Sequence, residues 1–161
     1  MTKARRYIEP GGVYFITSVT NKRAPLLVNE VAARFLVASL IFHKYIFNYK
    51  LLGYVVMPNH FHILVQPNDR YNISKIMNHI KGNYARKYNQ IIRRVGKLWQ
   101  QGFYDSVMRD ENEIRKWLEY MHNNPVDAGI VSSPEEYEFS SYHQYYGNLR
   151  TSIQAVIDKI W

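Results

Sequence analysis

Two apolar runs rich in β-branched and aromatic side chains, Tyr49 to Met57 and His60 to Gln66, are separated only by Pro58 and Asn59. A two-residue connection of turn-forming residues between two strand-like runs predicts an antiparallel hairpin. Before it, Val13 to Val19 follows Gly11-Gly12 and reads as a strand. Pro25 and Asn29 then lead into a helix from about Glu30 to Tyr45. After the hairpin, Asn72 is positioned to cap a helix from about Ile73 to Arg94. Ile73, Ile76, Met77, Ile80, Tyr84, Tyr88 and Ile91 form its apolar stripe, with Lys75, His79, Arg86 and Arg93 opposite. Phe103 to Met108 reads as a fourth strand. Asp110 and Glu113 make a capping-box pattern opening a further helix, expected to end near Asn124 because Pro125 disfavours helical geometry in the residue before it.

Strand, helix, strand, strand, helix, strand is the split βαβ plan. The expected fold class is therefore α+β: a ferredoxin-like βαββαβ antiparallel sheet with an additional C-terminal helix, and that helix carries Tyr120. With 161 residues and 47% hydrophobic content the chain is long enough for one core and short for two, so a single domain over 1–161 is expected. Its core spans about 10–131. Residues 132–161 form an extension to which no role is assigned, although Ser152 to Trp161 suits a terminal helix.

The absence of cysteine excludes disulfides, thiolate catalysis and Cys-ligated zinc. No long apolar stretch follows the basic residues Lys3, Arg5 and Arg6, which argues against a secretory signal. The most apolar run, Phe35 to Phe42, is far shorter than the roughly 20 residues of a membrane span. A cytoplasmic protein without membrane contact is the expectation.

The net charge of +8 attracts polyanions, and its distribution is uneven. No Asp or Glu occurs between Tyr71 and Tyr104, whereas Lys75, Lys81, Arg86, Lys87, Arg93, Arg94 and Lys97 all fall there. These seven are the candidate DNA-binding residues, on one electropositive face that the sequence also allows to be only a solvated helix surface. Trp99, Phe103 and Tyr104 are candidate stacking platforms that could equally belong to the core.

His60 and His62 are two apart on a predicted strand, so both leave the sheet on the same face, spaced to chelate one ion. Phe61, Ile63 and Val65 point the other way, towards the helices. Two imidazoles leave a divalent ion with open positions for substrate oxygens. On the last helix, Ile114, Trp117, Leu118 and Met121 form the packing stripe. Tyr120 lies beside that stripe, one turn before Asn124, so the two share a face. His122 is roughly opposite Tyr120 and is expected at the surface or in a capping role.

The stretch from Tyr54 to Val65, with its His60-Phe61-His62 core, resembles the segment that defines the single-tyrosine HUH transposases. Ile80-Lys81-Gly82, the run Leu98 to Asp105 and the run Tyr120 to Val131 are similar to later segments of the same family. The last is especially similar to the branch of REP-associated tyrosine transposases. The resemblance covers about 10–131 in consistent order. It implies that His60 and His62 bind the metal, that Asn124 supplies an amide completing the site, and that Tyr120 is the nucleophile. It also implies action on single-stranded DNA, often beside a hairpin, leaving a 5′-phosphotyrosine and a free 3′-OH.

A phenol, with an ordinary pKa of about 10, is a poor nucleophile at neutral pH and needs help from a cation. Magnesium or manganese suits a phosphoryl-transfer site with few protein ligands, although imidazole also accepts zinc. An apolar helix or a strand edge could also support a homodimer. Two rival readings stand beside the transposase: a ferredoxin-like module that binds single-stranded nucleic acid without catalysis, and a metal-dependent nuclease in which water attacks.

Overall fold

The hairpin forms where the alternation puts it. β2 (Lys50–Met57) and β3 (His60–Gln66) pair antiparallel, with Met57 opposite His60 and Pro58-Asn59 making the turn. β1 (Val13–Val19) pairs antiparallel with β3 on one side and with β4 (Tyr104–Met108) on the other, giving the order β2-β3-β1-β4. This order is the ferredoxin-like topology expected from the element sequence. The computed structural model describes residues 8–147 and 157–159. Lys3, Arg5 and Arg6, and most of the terminal helix expected over Ser152 to Trp161, lie outside the described residues.

Side chains of the sheet alternate between two cores. Tyr14, Ile16, Tyr54, Val56, Phe61, Ile63 and Val65 pack against α1 (Glu30–Phe47) and α2 (Ile73–Ile91), which together cover one face. Phe15, Val55, Met57 and Leu64 face the other way, under α3 (Glu111–Asp127). Each long helix begins at a side-chain cap. Asn29 accepts from the Val31 N–H at 2.8 Å, Asn72 from the Lys75 N–H at 2.9 Å and Asp110 from the Glu113 N–H at 2.9 Å. The reciprocal bond of the expected capping box is displaced by one residue: Glu113 accepts from the Arg109 N–H at 2.7 Å.

Two helix ends differ from expectation. α2 stops at Ile91, and Arg93 has a left-handed φ of 54°. α3 runs on through Pro125 to Asp127. Pro125 sits in the last turn, where its missing N–H removes one bond only. The Ala128 N–H reaches the Asn124 carbonyl at 3.0 Å and the Ile130 N–H reaches that of Pro125 at 2.9 Å, so the turn closes around it.

The segment after α3 covers the outer strand β2. The Val56 N–H donates to the Phe139 carbonyl at 2.8 Å and the Ser141 N–H to the Tyr54 carbonyl at 2.9 Å, before the short α4 (Tyr142–Tyr146). Asp158 continues the same edge, with its N–H on the Leu51 carbonyl and its carboxylate 2.8 Å from the Lys44 ammonium. These contacts satisfy backbone groups that an open edge would leave free for another chain. No helix among the described residues is long and apolar enough to cross a membrane.

Candidate active site

Strand alternation and register build the floor of the site. In the cross-strand register Val55, His62, Thr17 and Tyr104 form one row across all four strands, and Met57, His60 and Val19 form the next. Directly paired residues share a face, so both histidines, Thr17 and Tyr104 look to the α3 side of the sheet. Phe61, Ile63 and Val65 point into the α1/α2 core, as the alternation predicts.

α3 brings the tyrosine and the amide over this floor. Leu118 and Met121 are buried against the sheet, and Ile114 and Trp117 pack beside them. The helix lies close over Gly53 of β2, where an added Cβ would lie 2.5 Å from Leu118 Cδ1 and 2.8 Å from Met121 Cε. Tyr120 is 44% exposed, and its ring centroid lies 5.7 Å from that of His62. Trp117 and Phe15 hold the phenol ring edge-on at 5.4 Å and 6.0 Å. One turn on, Asn124 Oδ1 lies 3.2 Å from His60 Nε2. Tyr120 and Asn124, one helical turn apart and at least 58 positions beyond the histidines in sequence, thus meet His60 and His62 at one place.

Two further residues orient the imidazoles. Asn59 Oδ1 lies 2.7 Å from His60 Nδ1, and Thr17 Oγ1 lies 2.8 Å from His62 Nδ1. In the tautomer whose Nδ1–H donates to these oxygens, each Nε2 carries a lone pair. His62 Nε2 is buried and has no hydrogen-bond partner, an uncommon state for a ring nitrogen. Two Nε2 lone pairs and the Asn124 amide oxygen fit the divalent ion that the family resemblance implies. Among the described residues no group of three or more histidines and carboxylates is placed to hold a metal ion, so the set at this site is the two imidazoles and the Asn124 amide.

Burial pushes His62 down to about 3, with the neighbouring His60 adding to the effect. Burial also lowers His60, with its contact to the Asn124 side chain opposing the shift. Both rings are therefore neutral at physiological pH, the form that donates a lone pair.

Sequence reasoning did not single out Thr17 or Asn59 for the site. Asn59 was legible only as a turn residue, and Thr17 reaches His62 through strand register, which the local pattern does not encode. His122 corrects an expectation. It is not at the surface but 2% exposed, with Nε2 2.9 Å from Ser141 Oγ, because the segment following α3 folds back over it.

The basic stretch divides. Lys75, Arg86, Lys87, Arg93 and Lys97 are exposed. Lys81 is not part of that surface: at 9% exposure its ammonium turns inward, donating to the Gln100 carbonyl at 3.1 Å and to the Gly102 carbonyl. Burial pushes it down to about 8. Arg94 folds onto its own loop, donating to the carbonyls of Gly96 and Lys97 at 3.2 and 3.0 Å. α2 packs on the sheet face opposite His60 and His62, so its cations and the histidine pair occupy opposite sides of the molecule. Of the aromatic candidates, Trp99 is core, Phe103 is half-buried and Tyr104 is 69% exposed.

A ferredoxin-like sheet with a histidine pair on its third strand, facing a tyrosine on an added helix, defines the architecture of the single-tyrosine HUH class. The chain belongs to the family described as "Transposase IS200 like", whose model matches residues 12–124. Membership assigns it to the transposases. It is 27% identical over 146 residues to the REP-associated tyrosine transposase of Escherichia coli K12, covering 89% of this chain and 84% of that protein. It is 25% identical over 154 residues to a putative REP-associated tyrosine transposase of Haemophilus influenzae, covering 89% and 87%. Its fold is similar to a solved REP-associated tyrosine transposase bound to a REP hairpin, with TM-score 0.76, 24% identity and full coverage of both chains. It is also similar in fold to a putative transposase from Deinococcus radiodurans, with TM-score 0.53, 24% identity and coverage of 76% of this chain and 97% of that one.

Proposed function

We propose that this transposase cleaves and rejoins single-stranded DNA through Tyr120, with magnesium or manganese held by His60, His62 and Asn124. The observation that carries the reading is the approach of the Tyr120 ring to within 5.7 Å of His62 across two separate elements. A purely structural tyrosine on α3 would have no need to stand half-exposed beside His62, whose buried Nε2 has no hydrogen-bond partner.

In this reading Tyr120 Oη attacks the scissile phosphorus. The bond from phosphorus to the 3′ oxygen breaks, that oxygen leaves as a 3′-OH after taking up a proton, and the 5′ end remains esterified to the tyrosine. The phosphodiester energy is conserved, so a 3′-OH can reverse the step and join strands without ATP. When bound, the divalent ion supplies Lewis-acid stabilisation of the charge that develops on the phosphate oxygens. His60 and His62 act as neutral ligands, Asn59 and Thr17 fix their ring orientation, and Trp117 and Phe15 hold the phenol in place.

A single-stranded partner, with a hairpin nearby, agrees with the REP hairpin bound by the structural relative. Lys75, Arg86 and Lys87 of α2 lie across the sheet from the histidines, and together with the exposed Arg93 and Lys97 they serve as backbone-charge contacts for DNA that runs beyond the cleaved phosphate.

The test is incubation with labelled single-stranded DNA and manganese, followed by denaturing electrophoresis. Wild-type protein should give a denaturant-resistant adduct that Tyr120→Phe abolishes while still binding DNA. An adduct persisting in Tyr120→Phe would sink the assignment. Cleavage without an adduct would favour attack by water, and binding without cleavage a non-catalytic module.

A further inference from the structure

Beside the histidine pair, at the β1/β4 edge of the same sheet face, lies a cleft of about 250 Å³. Thr17, Val19, Gln100, Gln101 and Tyr104 line it. Thr17 thus has two neighbours: its hydroxyl meets His62 Nδ1 at 2.8 Å, and it also forms the wall of the cleft. Tyr104 occupies the same cross-strand row as His62, two strand spacings away, or about 10 Å. Any nucleotide adjoining a phosphate over the histidines would come within reach of this cleft.

The lining specifies the kind of ligand. It contains no charged side chain, which disfavours phosphate or metal as the occupant. Two carboxamides each offer a donor and an acceptor, the combination that reads the edge of an unpaired base. Neither amide is hydrogen-bonded within the described residues, and the exposed Tyr104 ring provides a stacking face.

The loop that presents these groups is held from two sides. The Gln100 N–H donates to the Val19 carbonyl at 2.8 Å, and the neighbouring Trp99 donates from its indole to the Lys81 carbonyl at 3.0 Å. From beneath, the buried Lys81 ammonium binds the carbonyls of Gln100 and Gly102. Lys81 therefore serves to anchor this loop, which explains a buried cation that the cleavage chemistry does not use. A loop fixed in this way offers its side chains without a backbone ordering cost on binding.

We infer that this cleft is a nucleobase pocket, in which Gln100 and Gln101 read and Tyr104 stacks one unpaired base of the DNA strand next to the cleaved phosphate. The inference rests on the proposed single-stranded DNA substrate and goes beyond it by assigning base selectivity to residues outside the histidine and tyrosine constellation.

Two readouts test it, and they separate failure of the pocket from failure of the covalent reading. In the first, a randomised single-stranded oligonucleotide pool is incubated with the protein and manganese, and captured adducts are sequenced. Wild type should prefer one base by about fivefold or more at a position flanking the cleaved bond. Gln100→Ala combined with Gln101→Ala should reduce that preference to below about twofold, with preferences elsewhere unchanged. An undiminished preference in the double variant would overturn the pocket. The second readout needs no cleavage. A pool carrying 5-iodouracil is photo-crosslinked to the full-length protein and the linked peptide is mapped. Crosslinks at Tyr104, lost in Tyr104→Leu, support the pocket even if no tyrosine adduct ever forms. Crosslinks confined to other segments would refute it.

Discussion

His60 Nε2 and Asn124 Oδ1 lie 3.2 Å apart, joining β3 to α3 across 64 residues of chain. In the tautomer that carries the proton on Nδ1, both groups offer electron pairs there, in a part of the molecule where His62 Nε2 has no hydrogen-bond partner. Replacing either residue should therefore be felt by a bound cation before it is felt by the fold. We expect Asn124→Ala and His60→Ala to weaken manganese binding, measured by calorimetry, by about tenfold or more while leaving the circular dichroism spectrum unchanged. Equal affinity in both variants would remove them from the ligand set.

Thr17→Val preserves shape and removes the hydroxyl facing His62 Nδ1. Without that acceptor the imidazole is free to take the other tautomer or rotate. Manganese affinity should fall about 10- to 100-fold, and nitrogen NMR of the metal-free protein should show a changed tautomer population for one histidine. An unaltered histidine spectrum would show that Thr17 does not orient the ring.

Gly53 lies close under α3. A methyl group there would press on Leu118 Cδ1 and Met121 Cε, so both buried side chains would have to shift. Gly53→Ala should cost about 1–3 kcal/mol in urea-induced unfolding, the usual range for overpacking. It should also slow adduct formation, since the same helix carries Tyr120. A variant as stable as wild type would mean that the helix shifts freely over the sheet.

His43 is buried far from the site, its Nδ1 donating to the Ser39 carbonyl at 2.7 Å and its Nε2 3.0 Å from the Asn83 amide nitrogen. Burial lowers its pKa below the ordinary histidine value, outweighing the Ser39 bond. Between the unfolded value of about 6.5 and the lower folded value, the unfolded chain holds the proton and the folded chain does not. Stability attributable to His43 is therefore full above about pH 6.5 and declines as the pH falls below it. In His43→Gln the loss of stability between pH 7.5 and 5 should be shallower than in wild type. Parallel curves would contradict this.

Much of the architecture was legible because it depends on local pattern. Alternation along β3 put His60 and His62 on one face, and the Pro58-Asn59 turn set the hairpin. The apolar stripe of α3 placed Tyr120 beside the packed surface, with Asn124 one turn further. The end of α3 was misread because a proline near the last carbonyls costs a single bond, whereas the same residue inside the helix would break it.

The amino-acid sequence by itself thus determined the four strands and three long helices, the face that alternating strand residues take, and the resemblance that marks the family. Tertiary structure alone decided which faces meet. Strand register set Thr17 beside His62 and Tyr104 in the same row, the carbonyls of Gln100 and Gly102 drew Lys81 inward, the segment after α3 buried His122, and the layer order put the basic helix across the sheet from the histidines. The physical reason is range: side-chain direction follows from a residue's immediate neighbours, but partners across a sheet or between layers follow from contacts between distant segments, which no local period records.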